Sequence, residues 1–193
     1  NCGLYCGAKV DFVDIEPLTW NICIKKLELK LIKAKHDGLI PKILVAVHLC
    51  GLSCDMKSIR KLSKKYGFKV LEDASHAIGG EFEKNKIGSC QYSDSTVFSF
   101  HAIKGITTGE GGMVLTNNDE ISNKLLLLRN HGISRDENLM THSSDGPWYY
   151  QQITLGYNYR MTDIQAALGR SQLKRLDNFI SKRHELANFY DEN

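Results

Sequence analysis

Residues 95–117 read STVFSFHAIKGITTGEGGMVLTN. Two strand-like runs, STVFSF (95–100) and GMVLTN (112–117), bracket a connection of small, hydroxylated and glycine residues. That connection holds a single lysine, Lys104, in SFHAIKGITTGEGG (99–112). A lone loop lysine is in most proteins a solvated charge. An amine held partly out of water gives up its proton more readily and becomes a nucleophile. The glycines of GEGG at 109–112 suit a tight turn under either reading. The surrounding chain bears on which reading applies.

Upstream of this stretch, strand-like and helix-like runs alternate. AKVDFVDI (8–15) reads as a strand, NICIKKLELKLIKAK (21–35) as an amphipathic helix, and KILVAVHL (42–49) as a buried strand with five consecutive apolar residues, Ile43 to Val47. DMKSIRKLSKKYG (55–67) has Asp55 placed to cap a helix and Gly67 placed to end it. FKVLED (68–73) is the next strand. This β-α-β-α-β order predicts an α/β fold with a mainly parallel sheet covered by helices. GEFEKNKIGS (80–89) reads as a small hairpin with Asn85 near its turn, and 118–132 as a helix opened by Asn/Asp and closed by Gly132. Residues 134–152 are polar and aperiodic, which predicts a long loop of the kind that often carries function. From 162 onward, helical spacing runs through Ile164, Leu168, Leu176, Ile180, Ala187 and Tyr190, with Thr162 placed as an N-cap.

Composition narrows the function class. With 193 residues the chain can build one domain with a sizeable core. A net charge of +3, with its basic residues scattered on helix-like runs, gives no argument for nucleic acid or an anionic membrane. No apolar run approaches the ~18–20 residues of a membrane span, and the opening NCGLYCGAKV has no secretory pattern. The six cysteines form no CxxC pair and read as the reduced thiols of a cytoplasmic protein. His48, near Cys50 and Cys54, lacks a second ligand pair and reads as a buried structural residue rather than a metal ligand; no metal is expected.

The candidate site gathers at strand ends. FKVLED closes on Glu72 and Asp73, and in parallel α/β sheets ligands bind beyond the carboxyl ends of strands. Asp73 is either a ligand group there or the cap of the next turn. Ser99 ends the strand that leads to Lys104. A carboxylate can keep a ring nitrogen protonated, a hydroxyl with backbone amides can hold a phosphate, and a lysine can form a Schiff base. Those are the three handles that pyridoxal 5'-phosphate (PLP) offers.

EDASHAIGG (72–80), FSFHAIKGITTGEGGMVLTN (98–117), LLLLRNHGI (125–133) and LGYNYRMTDIQAALGRSQLKRLD (155–177) closely resemble the DegT/StrS-type nucleotide-sugar aminotransferases over nearly the whole chain. HAIKGITTGEGG and GPWYYQQITLGYNYRMTDIQAALG are most similar to the branch of that family that serves pseudaminic acid biosynthesis. The resemblance implies a PLP-dependent transferase of fold type I, the aspartate aminotransferase-like fold. It implies that Lys104 binds PLP covalently and that Asp73 pairs with the pyridine nitrogen. His76 would lie near the phenolic oxygen and Ser99 would bond the phosphate. Asn158 would reach the phosphate of a neighbouring subunit's cofactor in a homodimer with shared sites. L-Glutamate would be the amino donor and a UDP-linked 4-keto sugar the acceptor.

Members of that family are much longer, so the chain is expected to be a central fragment. Residues 1–176 would belong to an incomplete large PLP-binding domain, and 177–193 would begin the helix leading to an absent small C-terminal domain. An aminotransferase for another 4-keto nucleotide sugar and a non-catalytic protein of the same fold stay open. A plain dinucleotide binder is disfavoured, because no GxGxxG follows the first strand-like run.

Overall fold

The structure is a computed structural model that describes residues 1–193. In chain order its elements are α1 (Cys2–Tyr5), α2 (Ile24–His36), β1 (Ile43–Val47), α3 (Met56–Tyr66), β2 (Lys69–Asp73), β3 (Glu81–Phe82), β4 (Asn85–Lys86), β5 (Ser95–Ser99), β6 (Gly112–Leu115), α4 (Asp119–Leu128), β7 (Ile133–Ser134), β8 (Gln151–Gln152), α5 (Asp163–Leu173) and α6 (Leu176–Glu192). The main sheet has the order β1-β2-β5-β6. The first three strands run parallel, and β6 returns antiparallel to β5.

Local chemistry accounts for the helices. In α3 the Asp55 carboxylate accepts the Ser58 N–H at 3.0 Å. Met56, Ile59, Leu62 and Ser63 fall on one buried face, and Gly67 closes the helix with φ +82°, a conformation that costs glycine little. Leu27 and Leu31, one turn apart, bury α2. Asn118 caps α4, whose first turn carries Asp119 and Glu120 against the positive end of the helix. Thr162 and Gln165 form a reciprocal capping box at the start of α5.

Two buried clusters result. The larger joins Leu27 and Leu31 of α2 and Met56, Ile59 and Leu62 of α3 to Ala46, Cys54, Phe68 and Val70. The smaller consists of Ala74, Ala77, Ile87, Phe98, Phe100 and Ile106, with Leu176 and Phe179 packed against it.

Five expectations change. The helix opened by Asn118 ends at Leu128 with Arg129 as its C-cap, four residues short of Gly132. The run 8–15 is not a strand: its one sheet-like contact is the Ile15–Ile22 bridge. Its aspartates explain why, since Asp11 and Asp14 accept the N–H of Phe12 and Ile15 and so compete with any ladder. The strand at Ile43–Val47 is not buried. It lies at the sheet edge with Leu44 and Ala46 facing the larger cluster, while Ile43, Val45 and Val47 are exposed on the other face. Residues 134–152 are not wholly irregular, because β7 and β8 pair across them, and Gln151 and Tyr149 bond His142 within the loop. The last helical stretch is two helices. The break at Lys174–Arg175 lets Leu176 and Phe179 reach the smaller cluster. The hairpin at 80–89 is present, with its turn at Glu83–Lys84 and Asn85 opening the second strand.

Candidate active site

Parallel pairing aligns the strand ends. Asp73, the last residue of β2, stands opposite Val97 of β5. Ser99, the last residue of β5, lies two positions further along at the same edge of the sheet. The chain then turns through 101–104, where the Lys104 N–H donates to the His101 carbonyl at 3.0 Å. The smaller cluster lies beneath all three segments. Ala74 and Ala77 bury the chain after Asp73, Phe98 and Phe100 flank Ser99, and Ile106 anchors the residues after Lys104. Asp73, His76, Ser99 and Lys104 are therefore carried by connections that leave the carboxyl ends of two neighbouring parallel strands.

Their polar groups keep spare capacity. Asp73 is half-buried, and one of its oxygens accepts the Ser75 N–H at 3.1 Å. The turn-capping role is thus real, and it leaves the second oxygen available. Ser99 Oγ accepts the His101 N–H at 3.3 Å and keeps its own proton to donate. The exposed His76 accepts the Cys50 N–H on Nδ1 at 3.3 Å. That bond leaves Nε2 as the N–H donor of the neutral ring. Cys50 sits at φ +53° next to Gly51, and this bend turns its N–H toward the imidazole. Lys104 is half-buried and engages the chain through its backbone. A carboxylate, an imidazole N–H, a hydroxyl and an amine at one sheet edge match the ring nitrogen, phenolic oxygen, phosphate and aldehyde of PLP.

Asn158 is not brought to this group. It lies exposed between Tyr157 and Tyr159, whose rings stack at 4.8 Å. A bridge to Asn130 holds it at the end of α4, and Arg160 donates to Asn130 Oδ1 at 2.6 Å.

Sequence reasoning passed over two features. One is the stem of the lysine loop. The Thr108 N–H and the Thr107 hydroxyl both donate to the Phe100 carbonyl at 2.9 Å. The pair of threonines in a glycine-rich run was the available signal. The other is the environment of Glu72. His48 Nε2 bonds its carboxylate at 2.7 Å, Thr96 Oγ1 bonds it at 2.9 Å, and Ser93 Oγ makes a further bond. Burial alone would raise the Glu72 carboxyl above its ordinary range. The bonds from His48, Ser93 and Thr96 outweigh burial and hold it below that range. No pattern in FKVLED announces these partners, which come from two distant segments, the end of β1 and the start of β5.

The profile of the DegT/DnrJ/EryC1/StrS aminotransferase family matches residues 1–193. The chain is 45% identical over 192 residues to the UDP-4-amino-4,6-dideoxy-N-acetyl-beta-L-altrosamine transaminase of Campylobacter jejuni, covering 100% of this chain and 47% of that protein. Among solved structures, the Helicobacter pylori PseC aminotransferase, involved in the biosynthesis of pseudoaminic acid, superposes with a TM-score of 0.83 at 36% identity, over 98% of this chain and 46% of that one. The PLP-form of a putative sugar aminotransferase from Streptococcus pneumoniae superposes with a TM-score of 0.78 at 27% identity, over 98% and 49%. The chain spans about half the length of the relatives it matches.

Proposed function

From the premise that this chain belongs to the DegT/DnrJ/EryC1/StrS aminotransferase family, we propose that the protein is a PLP-dependent nucleotide-sugar aminotransferase. It moves an amino group from L-glutamate to the 4-keto carbon of a UDP-linked 6-deoxy-N-acetylhexosamine, a step of the pseudaminic acid kind. The architecture is that of fold type I, with a mainly parallel sheet covered by helices. Residues 1–176 form part of the large domain in this reading, and 177–193 lead toward a smaller one. The observation that supports the reading is the convergence of Asp73, Ser99 and Lys104 at the carboxyl ends of adjacent parallel strands.

PLP, when bound, supplies an electrophilic aldehyde and a conjugated ring that takes up electrons and carries the amino group between substrates. The protein's residues do the rest. Lys104 Nζ would hold the aldehyde carbon of the cofactor, and its amine, when free, would be the base that takes the proton from the glutamate α-carbon and the acid that returns a proton to C4 of the sugar. Asp73 would keep a proton on the pyridine nitrogen, His76 Nε2–H would donate to the phenolic oxygen, and the Ser99 hydroxyl would donate to the phosphate.

The direct test is an absorbance spectrum of the purified protein, followed by borohydride reduction and mass mapping. The expected result is a cofactor band and a single modified lysine, Lys104. A different modified lysine would overturn the assignment, and the absence of any cofactor uptake would favour a non-catalytic member of the fold. A panel of UDP- and GDP-linked 4-keto sugars then names the acceptor.

The proposal includes a homodimer with shared sites, the commonest form of soluble oligomer. The exposed Asn158 is offered to the neighbouring subunit's phosphate. Mixing inactive Lys104→Ala with inactive Asn158→Asp subunits should restore part of the activity, because one site of the mixed dimer carries neither defect. No recovery, with mixed dimers demonstrated, would place Asn158 elsewhere. No helix of the structure is long and apolar enough to cross a membrane. Cytoplasmic placement belongs to the same proposal and is supported by six cysteines that form no disulfide.

A further inference from the structure

The segment after Lys104 is gripped by one face of α5. Gln172 Oε1 accepts the Thr107 N–H at 3.1 Å, and Gln172 Nε2 donates to the Thr107 carbonyl at 3.0 Å. One side-chain amide thus takes both backbone groups of one residue, as a neighbouring strand does in an antiparallel ladder. Thr107 also donates its hydroxyl to the Phe100 carbonyl and accepts the Gly109 N–H, each at 2.9 Å. All of its polar groups are engaged. Two turns earlier on the same helix face, Gln165 Nε2 donates to the Glu110 carbonyl at 3.0 Å. Gly169 lies between the two glutamines, and a Cβ there would stand 2.8 Å from Thr108 Cγ2. Positions 165, 169 and 172 form one stripe directed at the lysine loop. It binds through amides and a bare backbone, and no residue of α5 is buried.

We propose that Gln172 is a positioning residue for Lys104: its two bonds to Thr107 fix the backbone three residues past the lysine, and so fix where the amine works. The role of Lys104 in this inference rests on the aminotransferase reading above; the grip itself does not. On one side Lys104 is tied to β5 through Ser99 and Phe100. On the other, Ile106 is held by the smaller cluster and Thr107 by Gln172. A proton transfer is sensitive to small displacements of this kind, so loosening the backbone acts on the chemical step more than on substrate binding.

The test compares the wild-type protein with Gln172→Ala and Gln172→Glu by amide hydrogen exchange and by kinetics. In Gln172→Ala, protection of the 104–109 amides should fall roughly 5- to 30-fold, the scale of losing two ordinary hydrogen bonds, with the amides of α3 and β2 unchanged as a control for folding. The kcat should fall about tenfold or more while KM for the amino donor stays close to wild type. Gln172→Glu adds a signature that a mere staple would not show. Its carboxylate can still accept the Thr107 N–H but opposes the Thr107 carbonyl, which favours the protonated form and raises its pKa above the ordinary ~4.3. Once protonated it can donate as the amide did, so protection and kcat, each expressed relative to wild type at the same pH, should recover as pH falls.

Unchanged exchange at 104–109 in Gln172→Ala would overturn the proposal. So would a loosened loop with unchanged kcat in an enzyme whose Lys104 carries PLP, since Gln172 would then only staple the helix down. A loosened loop with no PLP on Lys104 would sink the aminotransferase reading and support the grip.

Discussion

Glu72 and Asp73 are neighbours at the end of one strand, and they solve opposite problems. Glu72 is 5% exposed and accepts from three side chains, His48, Ser93 and Thr96. Asp73 is half-buried and accepts one backbone N–H. Strand alternation sends them to opposite faces of the sheet. The first carboxylate spends three of its roughly four acceptor sites on the protein: His48 follows β1, Ser93 and Thr96 stand at the start of β5, and together they tie the carboxyl ends of β1 and β2 to the amino end of β5. The second keeps acceptor capacity at the edge where a ligand would enter. A buried charge whose hydrogen bonds all go to the protein belongs to the scaffold. A partly exposed one with a free oxygen belongs to the site, and the scaffold residue beside it holds it in place.

The contrast predicts opposite outcomes for the two sides. The largest effect is expected for Asp73→Asn, which keeps size and the turn but removes the charge proposed to hold a proton on the pyridine nitrogen. The kcat should fall by at least ~10²-fold, the lower scale for losing a catalytic group. Urea midpoints should barely move and PLP should still reach Lys104. A normal kcat would reduce Asp73 to a turn cap and erase the distinction.

His48→Leu should do the reverse. His48 is fully buried, and its Nδ1 accepts the Cys54 N–H at 3.1 Å while Nε2 serves Glu72. An apolar residue there strips one partner from a buried carboxylate and orphans a backbone N–H. A loss of about 3 kcal/mol in unfolding free energy follows. The fraction that stays folded should keep most of its kcat. If activity per folded molecule fell as far as in Asp73→Asn, the two carboxylates would form one functional unit.

This division was half legible in the sequence. Asp55, Gly67 and Thr162 announced helix ends because capping is a local interaction between residues four apart or fewer. Asp73 and Ser99 stood out because strand-like runs end at or beside them, and Lys104 as the single lysine of the glycine-rich connection that follows; both signals are local. What was not legible depends on partners far along the chain. An apolar run such as Ile43–Val47 reads the same at the edge of a sheet as at its centre. The glutamines of α5 look like solvated helix residues until Thr107 and Glu110 are placed opposite them. The three partners of Glu72 lie 21 to 24 residues away from it in sequence. The run 8–15 failed for a local reason that alternation hides, namely aspartates that take the next residue's N–H.

The smallest predicted effect isolates the charge on Glu72. Its carboxyl is held below the ordinary range in the folded protein, burial opposing the shift and the bonds from His48, Ser93 and Thr96 outweighing it. A carboxyl depressed on folding contributes stability above its unfolded pKa, about 4.3 for glutamate, and that contribution is lost as pH falls through the folded value. Glu72→Gln can direct its carbonyl oxygen at His48 and its amide at the Ser93 and Thr96 hydroxyls, which rotate to accept. The bonds therefore survive in neutral form, and the cost near pH 7 should be about 1 kcal/mol. Because the amide does not titrate, the gap between wild type and variant should close as pH is lowered below the unfolded value of about 4.3 and through the lower folded one. Urea unfolding of both proteins at several pH values measures that gap. A gap that stayed constant with pH would mean the cluster stabilises Glu72 by shape alone, and a gap that widened in acid would mean the carboxyl is held neutral, as a group awaiting a proton rather than one fixed in the scaffold.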